Sequence, residues 1–247
     1  MEKWLRYFET NARRVDLIPW DRDEALSVAE RRSITKSIAI FQLGESSEGR
    51  NLLRFAKEWG ERYREPLLVP VTRYFIREEQ RHAALLERFM RAQKIPLIET
   101  NWTDRVFRVL RKRAGYELSI SVLVVAEILA LVYYPALREA TTSPVLRAAC
   151  DQIVEEERAH VRYQVERIRD ARKRHSRWRA VLTHVGHRFL YAGTVLVVFP
   201  THRHVLRRGG LGFRTFWRRA WEELDGAFTS EPARLGRRSP LASPKAG

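Results

Sequence analysis

Apolar positions recur along this chain at intervals of three and four residues, so it reads as helices nearly throughout. Glu2 to about Ala12 predicts a short amphipathic helix, and Pro19 breaks the apolar connector Val15–Trp20. Asp21 is placed to cap a segment running through Ala25, Val28 and Ala29. A long helix is expected from about Ser33 to Trp59, stopped by Gly60, with Arg64–Leu67 as the turn. The next helix starts at Pro66 or Pro70 and reaches Lys94, followed by a loop over 95–102 and a basic helix over Thr103–Ala114. Tyr116–Ala140 is so apolar that it predicts a helix buried on all sides. Ser143 then caps a helix with Pro144 at its first position, running to about His175. Two basic helices follow, Trp178–Phe199 and Phe213–Phe228, separated by Gly209-Gly210-Leu211-Gly212. That glycine run follows no strand and is read as a turn, not a phosphate loop. Pro200 is expected to end the first of these helices, and Pro135 to kink the apolar one, opening a substrate channel or bending around the core.

This pattern predicts one all-α domain over 1–229, with a core bundle over 33–175, added basic helices over 178–228, and a disordered tail over 230–247. With 247 residues and 45% hydrophobic content the chain can bury a sizeable core, which excludes a disordered protein. Its one cysteine, Cys150, excludes an intramolecular disulfide framework and any multi-cysteine zinc or iron–sulfur site. The longest strongly apolar run, Phe189–Phe199, falls short of the ~20 residues that span a bilayer. The N-terminus carries no signal-like apolar core, so a cytoplasmic protein without stable membrane insertion is expected.

The net charge is +16, and residues 171–247, with sixteen Lys/Arg against four acids, carry +12 of it. Such a region attracts nucleic acid, acidic proteins or anionic lipid, or is simply a solvated surface. No recognisable DNA-binding motif accompanies it.

The chemistry is concentrated in two Glu-x-x-His sequences, Glu79-Gln80-Arg81-His82 and Glu157-Arg158-Ala159-His160. Residues three apart share a helix face, so carboxylate and imidazole can bind one metal ion together. Given the chain's composition, roughly one such pair arises by chance, so the motifs alone say little. Their context says more. Ser37–Glu45 and Ser119–Glu127 are matching apolar segments, each ending in a lone glutamate, and each precedes one Glu-x-x-His. At ~1.5 Å per residue, the outward and return helices bring Glu127 level with Glu157, and Glu45 level with Glu79.

Glu127 lies in Ile120–Val132, which is otherwise apolar apart from Ser121. A carboxylate buried there must be protonated, paired or metal-bound, and a salt bridge to a neighbouring arginine is the competing account. Four carboxylates and two imidazoles suit iron or manganese better than copper or structural zinc.

This pattern resembles the ferritin-like di-iron carboxylate superfamily over about residues 33–175. Glu78-Glu79-Gln80-Arg81-His82 is similar to the acidic-Glu-x-Arg-His variant of di-iron oxygenases and desaturases, whereas Glu156–His160 lacks the arginine. The two-fold spacing looks most like the p-aminobenzoate N-oxygenase-like group. That group carries a further histidine one turn before the final motif, where this chain has Ile153. The departure puts N-oxygenation in question, though not the dimetal site.

The resemblance implies a ferritin-like four-helix bundle with extra N-terminal and C-terminal helices. It implies Glu45, Glu79, His82, Glu127, Glu157 and His160 as ligands of two iron ions, or of manganese or a mixed pair. Glu48 competes with Glu45, being one turn further on the same face, but its repeat counterpart is Ala130. Glu78 and Glu156 either support the ligand histidines or are exposed helix charges, and Asp151 is a weaker supporting candidate. Tyr74, Tyr133, Tyr134 and Tyr163 are read as packing residues, one of which could be redox-active. His184 and His187 lack carboxylates at matching spacing, and His202-Arg203-His204 reads as a basic surface turn.

The activity implied is oxidation of a small or carrier-tethered organic substrate by dioxygen, through hydroxylation, desaturation or N-oxygenation. The alternative is a ferritin-like ferroxidase or iron store. An external electron donor is required, because the chain has no flavin motif and no iron–sulfur cysteines. A homodimer is the expected assembly, and an acidic partner such as an acyl carrier protein or ferredoxin would use the basic third.

Overall fold

The computed structural model describes residues 1–14, 18–22, 25–46, 49–102, 105 and 115–229. These residues are helical with no strand among them. The α-helices are α1 (Glu2–Asn11), α2 (Val28–Glu45), α3 (Arg50–Tyr63), α4 (Leu68–Ala92), α5 (Tyr116–Glu139), α6 (Pro144–Arg172), α7 (Arg177–Arg208) and α8 (Phe213–Thr229). The basic segment expected over 103–114 lies mostly, and the tail over 230–247 wholly, outside the described residues.

Local chemistry sets the boundaries. Ser27, not Asp21, starts α2: its hydroxyl accepts from the Glu30 backbone N–H while the Glu30 carboxylate accepts from the Ser27 N–H. Asp21 sits instead in a single 3-10 turn, Trp20–Arg22. The long helix expected over 33–59 is two helices. Gly49 has φ +65°, a left-handed conformation that starts α3 after a break, and the side chain of Ile76 occupies the space a β-carbon would need. Gly60 lies inside α3, which ends at Tyr63 with Arg64 as its left-handed cap. Ser143 caps α6 through the Leu146 N–H, with Pro144 at its first turn, as the sequence indicates.

Both internal prolines sit within continuous helices. Pro200 does not end α7. The carbonyl it deprives of a partner belongs to exposed Leu196, where solvent can satisfy it.

α5 packs along α6 as an antiparallel hairpin, α2 packs on α4, and α4 meets α6. These four helices carry every described candidate ligand. Outside them, α1 lies on α4, α7 covers α2 and α5, and α8 bridges α5, α6 and α7. One apolar core runs from Ile34 and Ile38 of α2 through Val124 and Ile128 of α5 to Phe216 and Leu224 of α8. Glu30 fastens the ends together, accepting from Thr142 N at 2.7 Å and Thr141 Oγ1 at 3.1 Å in the α5–α6 turn.

Candidate metal centre

Glu79 and His82 on α4 and Glu157 and His160 on α6 face each other in the interior. Each offers one ligand atom, and these atoms all lie within 4.8 Å of one another. His160 Nδ1 is 2.9 Å from Glu79 Oε1 and 3.3 Å from Glu157 Oε2. His82 Nδ1 is 3.2 Å from Glu157 Oε1 and 4.0 Å from Glu79 Oε1. Both glutamates therefore lie between the two imidazoles, the place of a shared ligand.

Glu45 and Glu127 lie beside this group. Glu45 is buried at the end of α2, close enough to feel the charges of Glu79 and Glu157, and receives the Tyr134 hydroxyl at 2.7 Å. Glu127 on α5 receives Gln164 Nε2 at 3.0 Å and lies 3.8 Å from His160 Nδ1. Its partners are thus a glutamine and a candidate ligand, not the arginine of the competing account. Glu48 lies outside the described residues.

The next layer is reciprocal. Glu156 of α6 meets His82 Nε2 of α4 at 2.7 Å, and Glu78 of α4 lies 3.4 Å from His160 Nε2 of α6. Glu78 and Glu156 are therefore buried beside the histidines and are not exposed charges. Asp151 does not join them: it is largely exposed and pairs with Arg138 Nε at 2.7 Å.

Two residues here, Asn11 and Gln152, were missed from sequence, and Arg81 was noted only as part of its motif. Asn11 Nδ2 donates to both Glu78 and Glu156. Arg81 Nη2 donates to Glu156 at 2.7 Å and Glu78 at 3.1 Å. Gln152 Nε2 reaches Glu156 at 3.4 Å. Asn11 had a signal, since it shares the buried face of α1 with Trp4 and Phe8, where a polar residue needs a partner. Phe8 and Phe75 then cover the His160 ring, with centroids 5.8 and 4.8 Å away.

Burial and crowding shape the electrostatics. Burial raises Glu157 well above the usual carboxylate range, and neighbouring Glu127 adds to the push. Burial likewise raises Glu45, helped by the charges of Glu79 and Glu157. Burial opposes charge on Glu127 too, but the proximity of Glu157 and His160 and the hydrogen bond from Gln164 outweigh it and hold that carboxyl low. Burial disfavours cationic His82, yet Glu156 and Glu157 overcome it and raise its pKa. Burial and then Glu157 act on His160 in the same opposed way, with the same result.

The donor set fits a metal. Glu157 Oε1 and Oε2, Glu79 Oε1, His82 Nδ1 and His160 Nδ1 are buried without hydrogen-bond partners. These are the atoms that converge, and a bare cluster of this kind is costly unless protons or cations neutralise it.

The remaining histidines lie elsewhere. His202 is not on a surface turn but buried within α7, 2.7 Å from Ser37 Oγ. His187 Nε2 meets the Ser121 carbonyl at 3.1 Å. Tyr133 stacks on Phe41 with centroids 3.5 Å apart, whereas Tyr134 touches the candidate centre.

Comparison of the chain with protein-family models, with curated proteins and with solved structures returned no match.

Proposed function

We propose that this chain is a ferritin-like di-iron oxygenase that uses dioxygen to oxidise an organic substrate. The observation that carries this reading is the convergence of two Glu-x-x-His motifs from facing helices on one buried point, with their ligand atoms unpaired. Glu79 and Glu157 would be shared between two ions, His82 and His160 would bind one each, and Glu45 and Glu127 would be the outer carboxylates. Carboxylate oxygens with one imidazole per ion suit iron, and manganese or a mixed pair fits the same donors. Bound iron would supply the electron-transfer and dioxygen-activating chemistry that amino-acid side chains lack.

The protein's own groups prepare the site. Glu156 holds His82 by Nε2 and so turns Nδ1 toward the centre. Tyr134 fixes Glu45 through its hydroxyl. Phe8 and Phe75 pack on the His160 ring, with Tyr163 against Phe8, and exclude water from that side. Cys150 is buried, and burial raises its pKa, so it remains a thiol with no redox partner among cysteines. Electrons must come from a separate donor.

The test is anaerobic loading with ferrous iron, then addition of dioxygen with and without a chemical reductant. Oxidation that stops after a single turnover without reductant, and leaves no mineral, supports an oxygenase. Continued iron uptake into a ferric core supports storage instead.

A further inference from the structure

We propose that the outer face of α7 docks on an anionic lipid bilayer, along which the protein lies without crossing it. Among the described residues, six of the eleven exposed large hydrophobic ones belong to this helix. Trp178, Leu182, Val185, Phe189 and Leu196 follow one another at helical spacing and form one stripe, with Val181 at its border. Phe189 is 74% exposed and Trp178 67%. At ~1.5 Å per residue the stripe is about 27 Å long. Single exposed apolar side chains are ordinary, whereas a continuous patch marks a binding surface.

Charge decides what covers it. α7 contains six arginines and no acidic residue. Arg177 and Arg179 lie at one end of the stripe, and Arg203 and Arg207 at the other, all exposed. A second copy laid against this face would bring arginine against arginine in either orientation. An acidic protein would match the arginines but leave the apolar stripe without a counterpart. An anionic bilayer satisfies both, with phosphate headgroups at the ends and acyl chains beneath the stripe.

The other face shows why the helix lies flat. By length and composition α7 is apolar enough to span a membrane, yet that face is committed to protein. Tyr191 bonds to the Ala220 carbonyl at 2.6 Å, His187 to that of Ser121, and His202 to Ser37. Arg188, midway along the helix, pairs with Asp225 at 2.8 Å. A spanning α7 would carry these charged and polar groups into hydrocarbon. This inference does not rest on the metal centre.

The test is flotation of the full chain with vesicles of phosphatidylcholine alone or mixed with phosphatidylglycerol. The chain should float with the anionic vesicles at low salt. Binding should fall about tenfold or more with pure phosphatidylcholine, at high salt, and in Leu182→Glu/Phe189→Glu, whose changes lie on the exposed face. As a second reading on folded protein, brominated lipid should quench tryptophan fluorescence in the wild type and clearly less in Trp178→Phe. Four results would overturn the proposal. They are no flotation at low salt, equal flotation of the double variant, quenching unchanged by Trp178→Phe, and a dimer or an acidic-protein complex that the double variant abolishes while vesicles bind neither form.

Discussion

Glu156 Oε2 lies 2.7 Å from Nε2 of His82, the histidine of the opposite motif rather than of its own. Glu78 faces His160 in the same crossed way at 3.4 Å. His82 is therefore braced by a hydrogen bond to the acid that precedes the other motif's ligand glutamate, whereas His160 has only the nearby charge of Glu78. Glu156→Gln should lower metal affinity about 10- to 100-fold while leaving both sites able to fill at excess metal. Glu78→Gln should cost less, because its contact with His160 is longer. Competition with a chelator measures both; equal affinity in Glu156→Gln and wild type would contradict the bracing role.

Tyr134→Phe removes the hydroxyl donor of buried Glu45. The expected loss is about 1–3 kcal/mol of stability in the metal-free protein, read by urea unfolding. An unchanged midpoint would mean that Glu45 is satisfied without this bond.

Gly49→Ala should destabilise by roughly 1–3 kcal/mol, because the position needs φ +65° and the new methyl would meet Ile76 Cδ1 at 2.5 Å. Thermal unfolding checks it. Stabilisation instead would show that the break between α2 and α3 is not enforced at this residue.

The contribution of His202 and His187 to metal-free stability should fall as pH drops. Burial, with Lys36 nearby, pushes His202 down to about 3, and burial with Arg172 pushes His187 down to about 4. Both are neutral when folded but take up protons near pH ~6.5 when unfolded. Their contribution is thus full above ~6.5 and decays toward their folded values, at about 1.4 kcal/mol per pH unit per histidine. His202→Asn keeps a polar group for Ser37 and cannot titrate, so its stability profile between about pH 6 and 4 should be shallower than wild type by one such slope. Parallel profiles would contradict the assignment.

Much of this was legible in the sequence, and the failures are informative. The repeat of Glu45 and Glu127 ahead of two Glu-x-x-His motifs is a periodic signal, and the structure gathers the four motif residues, with Glu127 beside His160 and Glu45 within reach of the charges of Glu79 and Glu157. Helix α5 was legible because its apolar content has no amphipathic face to misplace. The α2–α3 break was not, because Gly44, Gly49 and Gly60 look alike in sequence, and only the folded backbone, with φ +65° and Ile76 packed against it, singles out Gly49. Likewise Pro200 looked terminal, but the residue one turn before it, Leu196, lies on the exposed side of α7. Asn11 could be marked as a polar residue on the buried face of α1, but its partners lie 67 and 145 residues away, beyond any local pattern.

The central claim is a two-ion centre shared by Glu79 and Glu157, and the most direct measurement is metal content per chain after ferrous loading and removal of loose metal. Wild type should retain about two ions, and Glu79→Ala and Glu157→Ala, each lacking a shared ligand, should lose the pair while the helical circular-dichroism spectrum persists. A wild-type chain that holds no tight metal, or a Glu79→Ala/Glu157→Ala double variant that still holds two ions, would contradict the account.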